Sequence, residues 1–148
     1  MLDEIDKKII KVLQDDARTS LRKISELVKV SLGTVSNRVK RMEANGVIKG
    51  YSVILDPDQI GWELNVVIGL RIQKGRLIEI LERIAKDSRV NGVYDVTGDF
   101  DSMVIARAKN RKDLDDLSKN VLSIDGVERS ITHLVLNTVK EKTASLPE

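Results

Sequence analysis

Apolar residues recur along the first fifty positions with helical spacing. Leu2, Ile5, Ile9 and Val12 follow at intervals of three, four and three, with Leu13 alongside, which predicts a helix with one buried stripe. Asp3 sits where an N-cap belongs, and acids fill the first turn, where the helix dipole favours negative charge. After a polar break from Asp15 to Thr19, Ser20 caps a second helix that turns Leu21, Ile24, Leu27 and Val28 inward. Ser31 caps a third, with Leu32, Val35, Val39 and Met42 on its apolar face and Asn45-Gly46 at its end. Val47 to Leu55 alternates and is rich in β-branched residues, so it reads as a strand ending at Asp56-Pro57.

The rest of the chain alternates between the two periods. Residues 63 to 72 read as a strand, Arg76 to Lys86 as a helix with Leu77, Ile80, Leu81 and Ile84 on one face. Val90-Asn91-Gly92-Val93 reads as a turn into a strand from Tyr94 to Thr97, and Gly98-Asp99 as a turn into a strand from Ser102 to Ala108. A helix carrying Leu114, Leu117, Val121 and Ile124 follows, and Ile124-Asp125-Gly126-Val127 leads to a last strand, Ser130 to Val139. VNGV and IDGV stand 34 residues apart in equivalent places. One β-α-β unit used twice gives βαββαβ, the ferredoxin-like arrangement. The fold class is therefore α+β: a helix-turn-helix, winged-helix-like part at 1–55, a linker at 56–62, a ferredoxin-like part at 63–140 and a polar tail at 141–148. Two helices cover one face of the sheet. The other face is also partly apolar, and a homodimer closing sheet on sheet is the simplest cover for it.

Charge separates the two parts further. The formal net charge of +2 is the sum of +4 over residues 1 to 55 and −2 over residues 56 to 148. Between Arg18 and Gly50, eight basic residues face two acidic ones, the asymmetry expected of a polyanion-binding segment. Composition closes other routes. With no cysteine, disulfides, thiol nucleophiles and thiolate metal sites are excluded, and the single histidine, His133, cannot build an imidazole cluster. No metal or cofactor is expected. The longest apolar run, around Val66 to Leu70, falls far short of the ~20 residues of a membrane helix. The acidic start MLDEID argues against an export signal, so a cytoplasmic protein is expected. Aromatic residues make up 3%, too few for a binder that stacks single-stranded bases; Trp62 and Phe100 read as core or interface anchors. The acids Asp113, Asp115 and Asp116 share a helix with lysines and require no metal.

The third helix holds the candidate chemistry. Opposite its apolar stripe stand Gly33, Thr34, Ser36, Asn37, Arg38, Lys40 and Arg41, small and polar first, basic later. A helix entering the major groove needs that order, because its first turns approach base edges. Asn37 has the donors and acceptors for adenine, and Arg38 those for guanine. Ser36, Lys40 and Arg41 suit phosphates, which fix register without reading sequence. With Ser31 at the cap, these residues form the DNA-facing set of a helix-turn-helix, and the expected partner is double-stranded DNA.

Four stretches carry a resemblance: LDEIDKKIIKVLQDDART, VSLGTVSNRVKRMEANGVIKGY, VTGDFD and GVERSITHLVL. Over nearly its whole length the chain resembles the Lrp/AsnC family of bacterial and archaeal transcription regulators, also called feast/famine regulatory proteins. The resemblance implies a DNA-binding helix-turn-helix joined to an effector-binding ferredoxin-like domain, and dimers that often assemble into octamers. It implies a small amino-acid effector held between dimers near a hairpin, which maps onto Gly98, Asp99, Phe100 and Asp101, with Thr132 matching a family threonine on the last strand. Thr34, Ser36, Asn37 and Arg38 fall in the family's recognition helix. The hairpin has a logic of its own: a glycine turn exposes N–H groups to a carboxylate, and Asp99 and Asp101 suit an ammonium. One departure stands out. Lys29 occupies the turn between the second and third helices, where the family often has glycine; a positive φ there would cost about 1 kcal/mol.

Two other classes remain beside a regulator. Some haem-pathway decarboxylases resemble this family, but they need histidine and arginine near a tetrapyrrole, and this chain has one histidine. A metabolite-sensing module without DNA binding would not need so basic a third helix. The expectation is a regulator and not an enzyme.

Overall fold

The computed structural model describes residues 1–147. The chain forms two compact units, Met1–Ile54 with the tail from Lys142, and Leu55–Glu141.

The first unit is a three-helix core. Helix α1 (Glu4–Asp15) starts in a capping box: the Asp6 amide donates to the Asp3 carboxylate at 2.9 Å, and the Asp3 amide donates to Asp6 at 3.1 Å. Helix α2 (Leu21–Val28) and helix α3 (Leu32–Ala44) are capped by Ser20 and Ser31, each accepting from the backbone three residues on. Ile9, Ile24, Val28, Val35, Val39 and Met42 interlock in the core, with Leu2, Ile5, Leu13 and Ile48 packed around it. Leu21, Leu27 and Leu32, expected inward, are exposed. Short helices meeting in a trihelical core bury a narrow stripe, and these leucines lie at its margins.

The predicted strand Val47 to Leu55 does not form. The amides of Val47 and Ile48 close α3 on the Met42 carbonyl, and beyond them the segment runs without secondary structure. Val53, Ile54 and Leu55 are exposed. Alternation supplies a face, but a strand also needs a neighbour for its backbone groups, and the four-stranded sheet includes none of these residues. The segment expected as a linker contains a single 3-10 turn, Asp58–Ile60. In the tail, the Gln14 side chain donates to the Ala144 carbonyl at 2.9 Å.

The second unit has strands β1 (Leu64–Ile72), β2 (Val90–Asp95), β3 (Ser102–Ala108) and β4 (Val127–Leu134), with helix α4 (Leu77–Ile84) after β1 and helix α5 (Arg111–Leu122) after β3. The strand order is β2-β3-β1-β4, every neighbouring pair antiparallel, as a ferredoxin-like βαββαβ requires. Val66, Ile68 and Leu70 of β1 and Val104 and Ala106 of β3 face Ile80 and Ile84 of α4 and Leu117 and Val121 of α5. The opposite face carries Val67, Gly69, Met103, Ile105 and Ile131.

Two strands differ from expectation at their ends. VNGV is not a turn before β2 but its first four residues, and an irregularity between Val90 and Gly92 absorbs the asparagine. The last strand begins at Val127 and ends at Leu134, where the register with β1 ends. Arg89, with its side chain 13% exposed, pairs with Asp87 beside it and ties the start of β2 to α5 through Asp113 and Asp116, all at 2.8 to 2.9 Å. Those carboxylates hold its guanidinium above its ordinary pKa, Asp87 most of all. The acids of α5 are thus partners of Arg89 and, at Asp115, of Lys119. Among the described residues no group of acids and histidine is placed to hold a metal ion, and no helix is long and apolar enough to cross a membrane.

Candidate functional site

Helix α3 presents its polar side to solvent because the opposite side is fixed in the core. At 3.6 residues per turn, the buried Val35, Val39 and Met42 set the inner face, and Asn37 falls nearly opposite. Asn37 is exposed, as are Ser31, Gly33, Lys40 and Arg41; Thr34, Ser36 and Arg38 are half-buried. The helix start is tightly built. Ser31 accepts from the Thr34 amide at 3.1 Å, and the two hydroxyls lie 2.8 Å apart. A Cβ added at Gly33 would meet nothing within 4 Å, so this glycine is not required by its own fold and leaves the first turn low. Before it, Lys29 ends α2 in the left-handed region, φ 63° and ψ 45°, the positive φ anticipated for that turn.

Arg38 is placed differently from the guanine-reading role expected of it. Its guanidinium turns back to α1, where Nη1 donates to the carboxylates of Asp3 and, at 3.2 Å, Asp6. Arg41 reaches the same Asp6 through Nη2 at 2.9 and 3.1 Å. Asp6 is wholly buried, and an unpaired charge there would be costly; two guanidiniums and the Asp3 amide satisfy it. The Arg38 guanidinium, with the Asp6 amide, holds the Asp3 carboxyl down at about 2. These four side chains lock the α1 start onto the outer half of α3. Sequence reasoning found Asp3 only as a cap and missed Asp6. The available signal was an acid pair and an arginine pair each spaced i, i+3, but 32 to 35 residues separate the partners.

The hairpin between β2 and β3 is the second candidate. Gly98 takes φ 113°, a conformation that favours glycine. Asp101 fastens the turn to β1: its amide donates to the Leu70 carbonyl, and its Oδ2 accepts from the Ile72 amide, both at 2.8 Å. The ring of Phe100 lies on Gly69, where a Cβ would stand 2.9 Å from it. Asp99 is exposed at the tip. Thr132 sits exposed on β4 opposite Ile68, so the register gives it the helix side of the sheet, whereas Phe100 lies on the Gly69 side. One chain therefore gathers Gly98 to Asp101 into a single feature and leaves Thr132 on the other face. His133 is exposed, and Trp62 is half-buried.

Known proteins share both halves of this arrangement. Residues 2–49 match the model of a winged helix-turn-helix DNA-binding domain, and residues 65–145 match that of the Lrp/AsnC ligand binding domain. An uncharacterized HTH-type transcriptional regulator of Pyrococcus abyssi is 50% identical over 141 residues, covering 95% of this chain and 96% of its own. The regulator LrpA of the same organism is 33% identical and is covered from end to end, against 95% of this chain. Among solved structures, a transcriptional regulator of Neisseria meningitidis in complex with L-Met has a TM-score of 0.90 at 27% identity, covering 99% of this chain and 97% of that one. AsnC of E. coli shares the fold, with a TM-score of 0.91 at 23% identity over 97% of this chain and 98% of its own. With a helix-turn-helix before a ligand-binding domain of this type, the chain belongs to the Lrp/AsnC family of transcriptional regulators.

Proposed function

We propose that this regulator binds double-stranded DNA sequence-specifically through α3 and takes a small amino acid at the hairpin of its C-terminal unit, between dimers that associate into an octamer. The observation that carries the reading is the outer edge of α3: a capped, low first turn, Asn37 exposed opposite the core, and basic side chains behind it. Asn37 reads bases, with Gly33 allowing close approach and Thr34 lining the edge. Ser36, Lys40 and Arg41 meet phosphates, and the Ser31-capped helix start adds its dipole. Arg38 serves this helix from behind, through Asp3 and Asp6, rather than on a base.

For the effector, the amino-acid complex of the Neisseria regulator supports the ligand class. The Gly98 turn and exposed Asp99 supply opposite polarities at short range. Asp101 already spends one oxygen on β1, so it holds the hairpin's shape, and Thr132 joins the site from another chain. The protein acts in the cytoplasm and has no catalytic role.

Salt dependence tests the DNA contact. Neutralising about six phosphates predicts a slope near −5 in log affinity against log salt. Asn37→Ala relaxes sequence preference, and Lys40→Ala weakens all sequences alike. A slope near zero would refute the reading.

A further inference from the structure

Helix α1 treats the two arginines on the outer edge of α3 differently. Arg38 is 23% exposed, and its Nη1 is given to both Asp3 and Asp6. Arg41 gives Asp6 only Nη2, at 2.9 and 3.1 Å, and its side chain is 52% exposed. Its Nε and Nη1 have no partner among the described residues. Arg41 stands four positions after Asn37, so the two share one edge of the helix. Lys40 is exposed and in no ion pair among the described residues.

A guanidinium is a planar fork of five N–H donors, and a carboxylate that grips one nitrogen fixes the plane of the rest. Asp6 can act as such a grip because it is itself immobile: 1% exposed, inside the capping box, and shared with Arg38. The four side chains Asp3, Asp6, Arg38 and Arg41 sum to no net charge, so the acid is already offset where a phosphate would approach. We infer that Asp6 is a positioning residue for DNA binding: it holds Arg41 so that the unpaired N–H groups of the guanidinium face a backbone phosphate beside the groove that α3 enters. This rests on α3 being the DNA-facing helix. It adds a residue on a different helix, and it divides the two arginines into one that locks the fold and one that is presented.

The test uses the full chain and a labelled duplex of random sequence, where backbone contacts dominate, with affinity followed by anisotropy from about 50 to 200 mM salt. The slope counts phosphates contacted and does not change when part of the protein is merely unfolded. Arg41→Ala, which leaves Asp6 paired with Arg38, reduces the slope by about 0.9 for each bound chain. Asp6→Asn produces the same reduction, and the double variant goes no further than either single one. A wild-type slope in Arg41→Ala, or in Asp6→Asn while Arg41→Ala falls, overturns the proposal. Should Asp6→Asn fail to fold by circular dichroism, Arg41→Lys decides: it keeps the charge and loses the fork, so affinity falls between wild type and Arg41→Ala. Wild-type affinity in Arg41→Lys overturns the proposal. If the wild-type protein itself binds with no salt dependence, the DNA-facing reading of α3 fails; if it binds with a steep slope that no variant changes, the phosphate contact of Arg41 and the Asp6 role fail together while the rest of the α3 reading stands.

Discussion

Lys29 and Asp3 show what single residues contribute at opposite ends of the helix-turn-helix. Lys29 alone among the described non-glycine residues has a positive φ, and its Cβ crowds the following carbonyl in that conformation. Lys29→Gly is therefore expected to raise the stability of the protein by up to about 1 kcal/mol, read as a higher urea midpoint with an unchanged slope. A loss of DNA affinity without that gain would mark the lysine as a phosphate contact instead. Asp3 works through charge. Its carboxyl is held at about 2 instead of the ordinary 3.8, first by Arg38 and then by the Asp6 amide. An acid whose folded pKa is depressed stabilises above its unfolded pKa and ceases to do so as pH falls through the folded one. The contribution is thus complete at neutral pH and disappears between 3.8 and about 2. Asp3→Asn should flatten the acid limb of an unfolding titration in that window and leave the alkaline limb unchanged.

At the scale of elements, the hairpin depends on a missing side chain. Gly69 lies mid-strand in β1, and a methyl group there would stand 2.9 Å from the Phe100 ring. Gly69→Ala must push the ring off the sheet, at a cost of about 1–3 kcal/mol. It should also loosen the hairpin, seen as faster hydrogen exchange at the Asp101 and Ile72 amides, while the three-helix unit is unaffected. Most elements were legible beforehand because their signals are local. Ser20 and Ser31 cap the helices they precede, and Ser102 to Ala108 is a strand with the predicted ends. Where a partner distant in sequence decides, reading by period stops. Val47 to Leu55 has a strand's alternation but no strand beside it. VNGV has the composition of a turn but is drawn into a strand by pairing with β3. Arg38 looks free on its own helix, and only the fold brings Asp3 and Asp6 to it. The polar edge of α3 was thus readable as a set, whereas the return of Arg38 and Arg41 to the acids of α1 was not.

At the scale of the whole molecule, a net charge of +2 conceals two parts with different tasks. The basic part carries the exposed edge of α3. The acidic part carries a sheet with helices on one face and Val67, Met103, Ile105 and Ile131 on the other. The proposed dimer, with its two-fold axis, would offer two α3 helices to one side of a duplex. Such helices fit successive major grooves about 34 Å apart, or a multiple of that, and favour a pseudo-palindromic site. Selection of genomic DNA fragments bound by the wild-type protein and by Asn37→Ala, analysed side by side, tests this most directly. The wild type is predicted to enrich a two-fold motif with half-sites spaced by about 10 base pairs or a multiple, and Asn37→Ala to bind with that preference relaxed at an A·T pair in each half. Enrichment of no motif by the wild-type protein, or the same motif undiminished with Asn37→Ala, would contradict a sequence-reading α3.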